Sequence, residues 1–190
     1  MDASLFNNIS IFQNCLNTIQ TELNRSKEDF LQEHFAKYDT PSMPPVWKTL
    51  EIVSFGTLSK LYQNMKDVQV KKQVAKSVGL PQYTYMESWM RSIAVLRNFC
   101  ANHARTWNHR YPTMLQLPKR LPLAWVDTQH IRPQKLYAQL CTLLYLEQSI
   151  IPNSRIKERL SQLFTDYANI NFTAMGLPHD WKDEPLWAVK

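Results

Sequence analysis

The segment from Leu96 to Arg110 carries the side chains that are best suited to chemistry. It contains three arginines, two histidines and three asparagines, and it follows an apolar helical run of the kind that forms a core. Burying such groups without partners would cost several kcal/mol each. The segment is therefore either a solvated helix end or a site, and its fixed cations beside a titratable imidazole suit phosphate chemistry.

Arg97, Asn98 and His103 can be considered together as one candidate reaction centre, although an arginine and a histidine at this spacing are by themselves a weak motif. Arginine presents a permanent, planar donor fork to a phosphate, and histidine transfers protons near neutral pH. Cleavage of RNA without a metal ion needs a base for the ribose 2′-hydroxyl, cations for the transition state and an acid for the leaving 5′-oxygen. We expect Arg97 to stabilise the phosphate, His103 to act as general acid or base, and Asn98 to position one or both.

Helical geometry bears on whether one chain can form this site. If these residues belong to one helix, Arg97 and His103 lie about 120° apart around its axis and about 9 Å apart along it. One helix then makes a wide polar surface, whereas two such helices across a two-fold axis make a pocket and supply a second histidine. This spacing favours a homodimer. Alternatively, Arg105, His109 and Arg110 only stabilise a helix C-terminus, because their positive charge interacts favourably with the helix dipole.

Composition excludes several classes of function. The chain has only three glycines and contains neither GxGxxG nor GxxxxGK[ST], which argues against a kinase or ATPase. Its three cysteines form no CxxC pair, so we expect no zinc site, no disulfide framework and no cofactor. Without a long apolar run or a basic leader, we expect a cytoplasmic protein with no membrane partner. A formal charge of +6 permits an anionic partner.

Scarce glycine and few alternating runs of β-branched residues indicate an all-α chain. An apolar stripe from Leu5 to Leu23 predicts a helix that continues to about Tyr38, whose apolar side faces either its own core or a dimer seam. Prolines within 39–45 predict a break. Further helices are predicted at about 45–65, 68–78, 82–107, 133–151 and 153–170, with a proline-rich loop around Trp125 and a tail held by tryptophans. We expect an N-terminal helical arm (1–40) and a helical domain (41–190) in one compact unit.

Four stretches of the chain, in a consistent order and at consistent separations, resemble a known family. They are RSKEDFLQEHFAKY (25–38) with PPVWKTLEIVSFG (44–56), SFGTLSKLYQNM (54–65), ESWMRSIAVLRNFCANHARTWNHR (87–110) and MGLPHDWKDEPLW (175–187). The chain resembles the Abi-like family of abortive-infection proteins, of the AbiD and AbiF type, over about residues 20–187. That family resembles the HEPN superfamily, whose signature is Arg, often Asn, and then His after four to six residues. Arg97, Asn98 and His103 match this signature.

The resemblance implies a HEPN-like helical bundle and a metal-independent endoribonuclease of bacterial phage defence or a toxin–antitoxin system. It implies RNA as substrate and a homodimer, and a toxic ribonuclease needs restraint by an antitoxin protein or RNA. The alternative is a non-catalytic RNA-binding or protein-interaction module of such a system. The family pattern is closer to RNxCAHHxRLWNR, so Asn102 stands in place of a histidine, Thr106 in place of leucine, and His109 is added. Family members usually extend further at the N-terminus, so we expect a short or truncated version.

Seven further polar residues are candidates for substrate contact or support of the site. They are Asn102, Arg105, Asn108, Arg110, Glu51, Ser54 and Lys60. Asn98 and Asn102 share a helical face at positions i and i+4, so they could orient a phosphate or the imidazole. Glu51 and Ser54 lie on the helix expected beside the central one, and they would orient Arg97 if they face it.

Two softer features each leave two interpretations open. The basic stretch comprises Lys60, Lys66, Lys71, Lys72 and Lys76. It either contacts an RNA backbone or forms a solvated helix face. Trp107 is more typical of a core anchor than of a platform on which bases stack.

Overall fold

The computed structural model describes residues 1–40, 43–151 and 153–188. Within these ranges the chain is helical, with no strand beyond an isolated bridge between Phe6 and Met65, which confirms the all-α prediction. The α-helices are α1 (Ile9–Arg25), α2 (Asp29–Lys37), α3 (Val46–Ile52), α4 (Phe55–Asn64), α5 (Val68–Ser77), α6 (Tyr83–Ala101), α7 (Leu136–Ile150), α8 (Ile156–Asp166) and α9 (Phe172–Met175). None of these described helices has both the length and the apolar character that crossing a membrane requires.

The chain divides into two compact units, Met1–Asp67 and Val68–Lys190. The first unit contains α1 to α4, and the second contains α5 to α9. The sequence predicts a different boundary, between an N-terminal arm (1–40) and a helical domain (41–190). That boundary stays a prediction, because the grouping of contacts does not show which parts fold alone.

Helix α1 supplies most of the apolar core of the first unit. Asn8 begins the helix by accepting a hydrogen bond from the N–H of Ile11 at 3.0 Å, as N-cap residues do. The buried core consists of Phe12, Cys15, Ile19, Leu23, Leu31 and Leu61. The core interpretation of the apolar stripe is therefore confirmed for its central part. Leu5 and Ile9 are exposed, since the helix begins only after Asn8.

Two helices that the sequence predicts as continuous are interrupted in the first unit. The helix expected to reach Tyr38 ends at Arg25, because Ser26 has extended backbone with φ −69° and ψ 136°. The helix expected at 45–65 is divided by Ser54, whose hydroxyl accepts a hydrogen bond from the N–H of Thr57 at 3.2 Å. Serine side chains compete with helical hydrogen bonding in this way. The predicted break at 39–45 includes residues 41 and 42, which lie outside the described ranges.

A cluster of aromatic rings forms the centre of the second unit. Trp89 of α6 stacks on Trp125 with ring centroids 5.4 Å apart, and Tyr145 of α7 packs edge-on against both. The proline-rich loop that contains Trp125 is therefore part of the core. In the tail, Trp181 and Trp187 are buried against each other with centroids 5.1 Å apart, which confirms that tryptophans hold this segment.

Three helices of the second unit agree with the sequence prediction, a fourth ends early, and the short α9 was not predicted. Helix α5 begins and ends within a residue of the predicted bounds, and α7 and α8 lie inside theirs. Helix α6 begins as predicted but ends at Ala101, well before Trp107. The early end lies within the segment that carries the candidate chemistry.

Candidate functional site

Helix α6 ends because the chain turns into the left-handed region at His103. This residue has φ 52°, and no other non-glycine residue in the described ranges has positive φ. Its N–H donates to the carbonyl of Cys100 at 3.1 Å, and the N–H of Ala104 donates to the carbonyl of Phe99 at 2.9 Å. Together these two bonds form the Schellman motif, in which glycine usually occupies the left-handed position. The sequence does not predict this helix end, because the left-handed position is occupied by a histidine and not by glycine, the usual stop signal.

The conformation of His103 carries an energetic cost. Left-handed backbone costs an L-residue about 1–2 kcal/mol through crowding of its Cβ, although histidine adopts it more often than most residues. Strained positions of this kind occur preferentially at functional sites. The imidazole is exposed and makes no hydrogen bond to the described part of the chain. Since α6 ends at Ala101, before His103, the helical angle and rise predicted between Arg97 and His103 do not apply.

Arg97 and Asn98 lie on the same helix end, and both side chains are exposed. Nη1 of Arg97 donates to Oδ1 of Asn98 at 3.3 Å. Asn102 is the C-cap residue, and its N–H donates to the carbonyl of Asn98 at 3.1 Å. The fold therefore brings Arg97, Asn98, Asn102 and His103 together around one exposed helix terminus.

Three rings hold the segment that follows His103. The ring centroid of His109 lies 4.4 Å from that of Phe99 and 5.1 Å from that of Tyr111, and Phe99 and Tyr111 are 5.4 Å apart. We call these three residues the aromatic anchor. Burial raises the pKa of Tyr111 to about 12, so its hydroxyl is neutral at physiological pH. The anchor fixes the path of the chain between the end of α6 and the proline-rich loop.

Two polar contacts attach the same segment to the start of α7. Lys135 Nζ donates to Asn108 Oδ1 at 3.2 Å, and Arg110 Nε donates to Gln134 Oε1 at 2.8 Å. Both contacts give Asn108 and Arg110 a structural function. A contact of either residue with substrate stays a prediction.

The end of α6 presents a positive surface. Six lysines and arginines, and no aspartate or glutamate, lie between Glu87 and Asp127. Arg105 is exposed and has no ion-pair partner in the described ranges. Trp107 is 42% exposed, so the expectation of a core anchor is wrong. The long run without acidic residues can be read from the sequence, and it is the signal that identifies this surface.

Glu51, Ser54 and Lys60 belong to the first unit. Glu51 and Lys60 are exposed, and the hydroxyl of Ser54 is engaged in capping α4. The backbone N–H of Ser54 also donates to Oε2 of Glu22 at 3.0 Å. The predicted support of Arg97 by Glu51 and Ser54, and the predicted contact of Lys60 with substrate, stay predictions.

The remaining titratable groups form no evident metal site. No group of three or more His, Cys, Asp or Glu side chains in the described ranges is placed to hold a metal ion. The cysteines are free, with Cys15 and Cys141 buried and Cys100 exposed. Burial raises the pKa of Cys141 to about 12, so this thiol is not a reactive nucleophile at neutral pH.

Comparison with known proteins agrees with the resemblance seen in the sequence. Residues 2–108 match a protein family described as Abi-like protein. The match covers more than half of the chain and includes the whole of α6 and His103, so it shows the family. No curated protein and no solved structure gives a significant match.

Proposed function

The chain belongs to the Abi-like protein family, and on this basis we propose that it acts in abortive infection, a bacterial defence against phage, as a metal-independent endoribonuclease of the HEPN type. The observation that carries the proposal is the strained, exposed His103 beside the hydrogen-bonded pair Arg97 and Asn98. These groups lie in a stretch of the chain, between Glu87 and Asp127, that contains cations but no carboxylate, which suits a polyanion. They also lie inside the segment that matches the family.

The proposed reaction is an internal transfer at one phosphodiester of RNA. The ribose 2′-oxygen loses its proton and bonds to phosphorus, while the bond from phosphorus to the 5′-oxygen breaks and that oxygen gains a proton. Products are a 2′,3′-cyclic phosphate and a 5′-hydroxyl. Arg97 stabilises the charge that develops on the phosphate oxygens, and Asn98 holds the guanidinium through their hydrogen bond. His103 performs one of the two proton transfers.

A second imidazole would complete the acid–base pair. We propose that it is His103 of a second copy, in a homodimer whose two α6 ends face each other across a two-fold axis. An antitoxin protein or RNA would restrain the enzyme in the absence of infection. Sedimentation at micromolar concentration tests the dimer, and a species of 22.4 kDa alone would count against the shared site.

Removal of the imidazole tests the nuclease directly. Wild-type protein, His103→Ala and the control His130→Ala are incubated with total RNA in EDTA. His130 is exposed and lies outside the site, so its loss should not reduce cleavage. We expect His103→Ala to lower the rate at least 10²-fold, the usual contribution of a general acid or base (roughly 10²–10⁴). Undiminished cleavage by His103→Ala would refute the assignment, and cleavage abolished by EDTA would refute the metal-independent mechanism.

The positive surface and the exposed Trp107 favour a second candidate, an RNA-binding module without catalysis. Exposed tryptophan rings stack on bases, and arginines contact the backbone. This candidate predicts RNA binding with a steep dependence on salt. It also predicts that RNA stays intact with the wild-type protein.

A further inference from the structure

A cavity of about 530 Å³ opens between the end of α5 and the start of α6. Its lining residues are Lys72, Lys76, Leu80, Pro81, Gln82, Tyr83 and Thr84. The volume lies within the range of about 300–1,000 Å³ that small-molecule sites occupy. All of the lining belongs to the second unit, at the opposite end of α6 from His103.

Charges around this cavity favour an anion. Lys71 of α5 is buried, and its Nζ forms an ion pair with Oε1 of Glu87 at 2.6 Å. Lys72 and Lys76 are instead exposed at the cavity, one helical turn apart, without an ion-pair partner in the described ranges. Like charges at this spacing destabilise a helix, and none of the described residues that line the cavity is a carboxylate that could offset them. A bound phosphate would supply the missing negative charge.

The rest of the lining suits a planar, largely apolar group. Leu80 is buried, and the half-buried Tyr83 offers an aromatic ring. Gln82 and Thr84 add hydrogen-bonding groups. A phosphate joined to a planar ring with polar edges is a nucleotide.

We propose that this cavity binds one nucleotide of the RNA strand that is cleaved at the other end of α6. The inference rests on the proposed function, and it adds an RNA contact about 28 Å from the reaction centre, the length of the 19-residue α6 at 1.5 Å per residue. That distance corresponds to about eight stacked nucleotides at 3.4 Å each, and to fewer in an extended strand.

One face of α6 connects the cavity with the candidate site. Thr84, Arg91 and Asn98 are seven residues apart, and each step of seven rotates only about 20° around a straight helix. Thr84 lines the cavity, Arg91 is exposed midway, and Asn98 contacts Arg97. Glu87, the acidic residue near this face, is neutralised by Lys71. Thr84, Arg91 and Asn98 therefore mark one side of α6 between the cavity and the candidate site, and the acidic residue beside them is paired.

Binding is measured with the full chain carrying His103→Ala, so that cleavage does not consume the ligand. Fluorescence anisotropy of a labelled 12-nucleotide single-stranded RNA is compared with and without Lys72→Glu/Lys76→Glu. Arg155→Glu/Arg159→Glu at the start of α8, where Arg155 is the N-cap residue, is the matched control, because it has the same spacing, exposure and change in charge. We expect at least a tenfold loss of affinity for the lysine pair and less than a twofold loss for the arginine pair. Lys72→Gln/Lys76→Gln replaces the reversal if thermal unfolding shows that the reversed variant is not folded.

Competition separates the possible ligands. We expect AMP to displace the labelled RNA at lower concentration than inorganic phosphate does, and to lose this advantage in the lysine variant. Equal losses for the lysine and arginine pairs would overturn the site in favour of general electrostatic attraction. AMP binding that depends on the lysines, with RNA affinity unchanged, would overturn the RNA assignment in favour of a free nucleotide.

The outcome for the cavity is separate from the outcome for the nuclease. If wild-type protein cleaves RNA through His103 and the lysine pair has no effect on binding, the cavity proposal fails and the nuclease stands. If binding depends on the lysines but wild-type protein leaves RNA intact, the cleavage proposal fails and the nucleotide site stands.

Discussion

Helices α5 and α6 end with the same pair of backbone hydrogen bonds around different residues. At the end of α5, the N–H of Gly79 donates to the carbonyl of Lys76 at 3.0 Å, and the N–H of Leu80 donates to that of Ala75 at 2.9 Å. Gly79 has φ 76°, the left-handed conformation that His103 adopts at the end of α6. Glycine adopts the left-handed backbone at the end of α5 without strain, whereas histidine adopts it at the end of α6 with strain.

Packing explains the residue at the first end but not at the second. A Cβ at Gly79 would lie 2.8 Å from Oη of Tyr145, and this hydroxyl donates to the carbonyl of Gly79 at 2.9 Å. Only glycine fits there. His103 is exposed, so no neighbour requires its side chain for packing. The left-handed backbone of His103 therefore has no explanation in packing, and it is one of the observations that support the role proposed for the imidazole.

The largest expected effect is at the packed end. Gly79→Ala should lower the free energy of unfolding by about 3 kcal/mol, because left-handed backbone and overlap with Tyr145 add together. Urea unfolding measures the loss. The cost should be at least about 1 kcal/mol smaller in a Tyr145→Phe background, where the overlapping hydroxyl is absent. An equal cost in both backgrounds would show that the overlap contributes nothing.

A smaller effect of opposite sign is expected at the exposed end. His103→Gly should raise the free energy of unfolding by about 1 kcal/mol, because glycine relieves the left-handed strain. The same variant should lose RNA cleavage. His103→Ala separates the two effects, since it should lose cleavage without the gain in stability. If His103→Gly unfolds at lower urea concentration than wild type, the position is not strained and the contrast with Gly79 disappears.

The smallest effect is expected at Tyr111, and Tyr145 serves as its comparison. Tyr111 of the aromatic anchor has a buried hydroxyl without a partner in the described ranges, whereas Tyr145 bonds to Gly79. Tyr111→Phe should therefore gain about 0.5 kcal/mol at pH 7, and Tyr145→Phe should lose about 1 kcal/mol. Urea unfolding of both variants measures the difference. Destabilisation by Tyr111→Phe at pH 7 would show that its hydroxyl has a partner.

Alkaline pH sharpens the test of Tyr111. Its folded pKa of about 12 lies above the ordinary value of 10.0, so burial favours the neutral form. The contribution of the neutral Tyr111 to the free energy of unfolding is fully present below pH 10, and it is lost as the pH rises from 10 towards 12. Phenylalanine cannot ionise, so the advantage of Tyr111→Phe should grow by about 1 kcal/mol at pH 11. An advantage that stays constant between pH 7 and pH 11 would contradict the raised pKa.

Residue patterns predicted much of the fold, because most helices here depend on local spacing. The apolar stripe of α1 and the glycine and proline that end α5 are signals within one or two turns of a helix. Breaks at Ser26 and Ser54 were not predicted, since serine is tolerated within helices as well as at their ends. The end of α6 was missed for the same kind of reason, because histidine is not a stop signal.

Arg97, Asn98 and His103 could be proposed from the chain alone, because their types and order match the signature of the HEPN superfamily; the match over residues 2–108 confirms the Abi-like family. The spatial arrangement of these three residues could not be predicted, since it depends on a left-handed turn at His103 that no local pattern specifies. Tertiary contacts also decided which polar residues hold the chain in place, since Asn108 and Arg110 form hydrogen bonds to the start of α7. In α5 they decided that Lys71 forms an ion pair whereas Lys72 and Lys76 line a cavity. These outcomes depend on partners far away in the sequence, and residue type and spacing alone do not identify such partners.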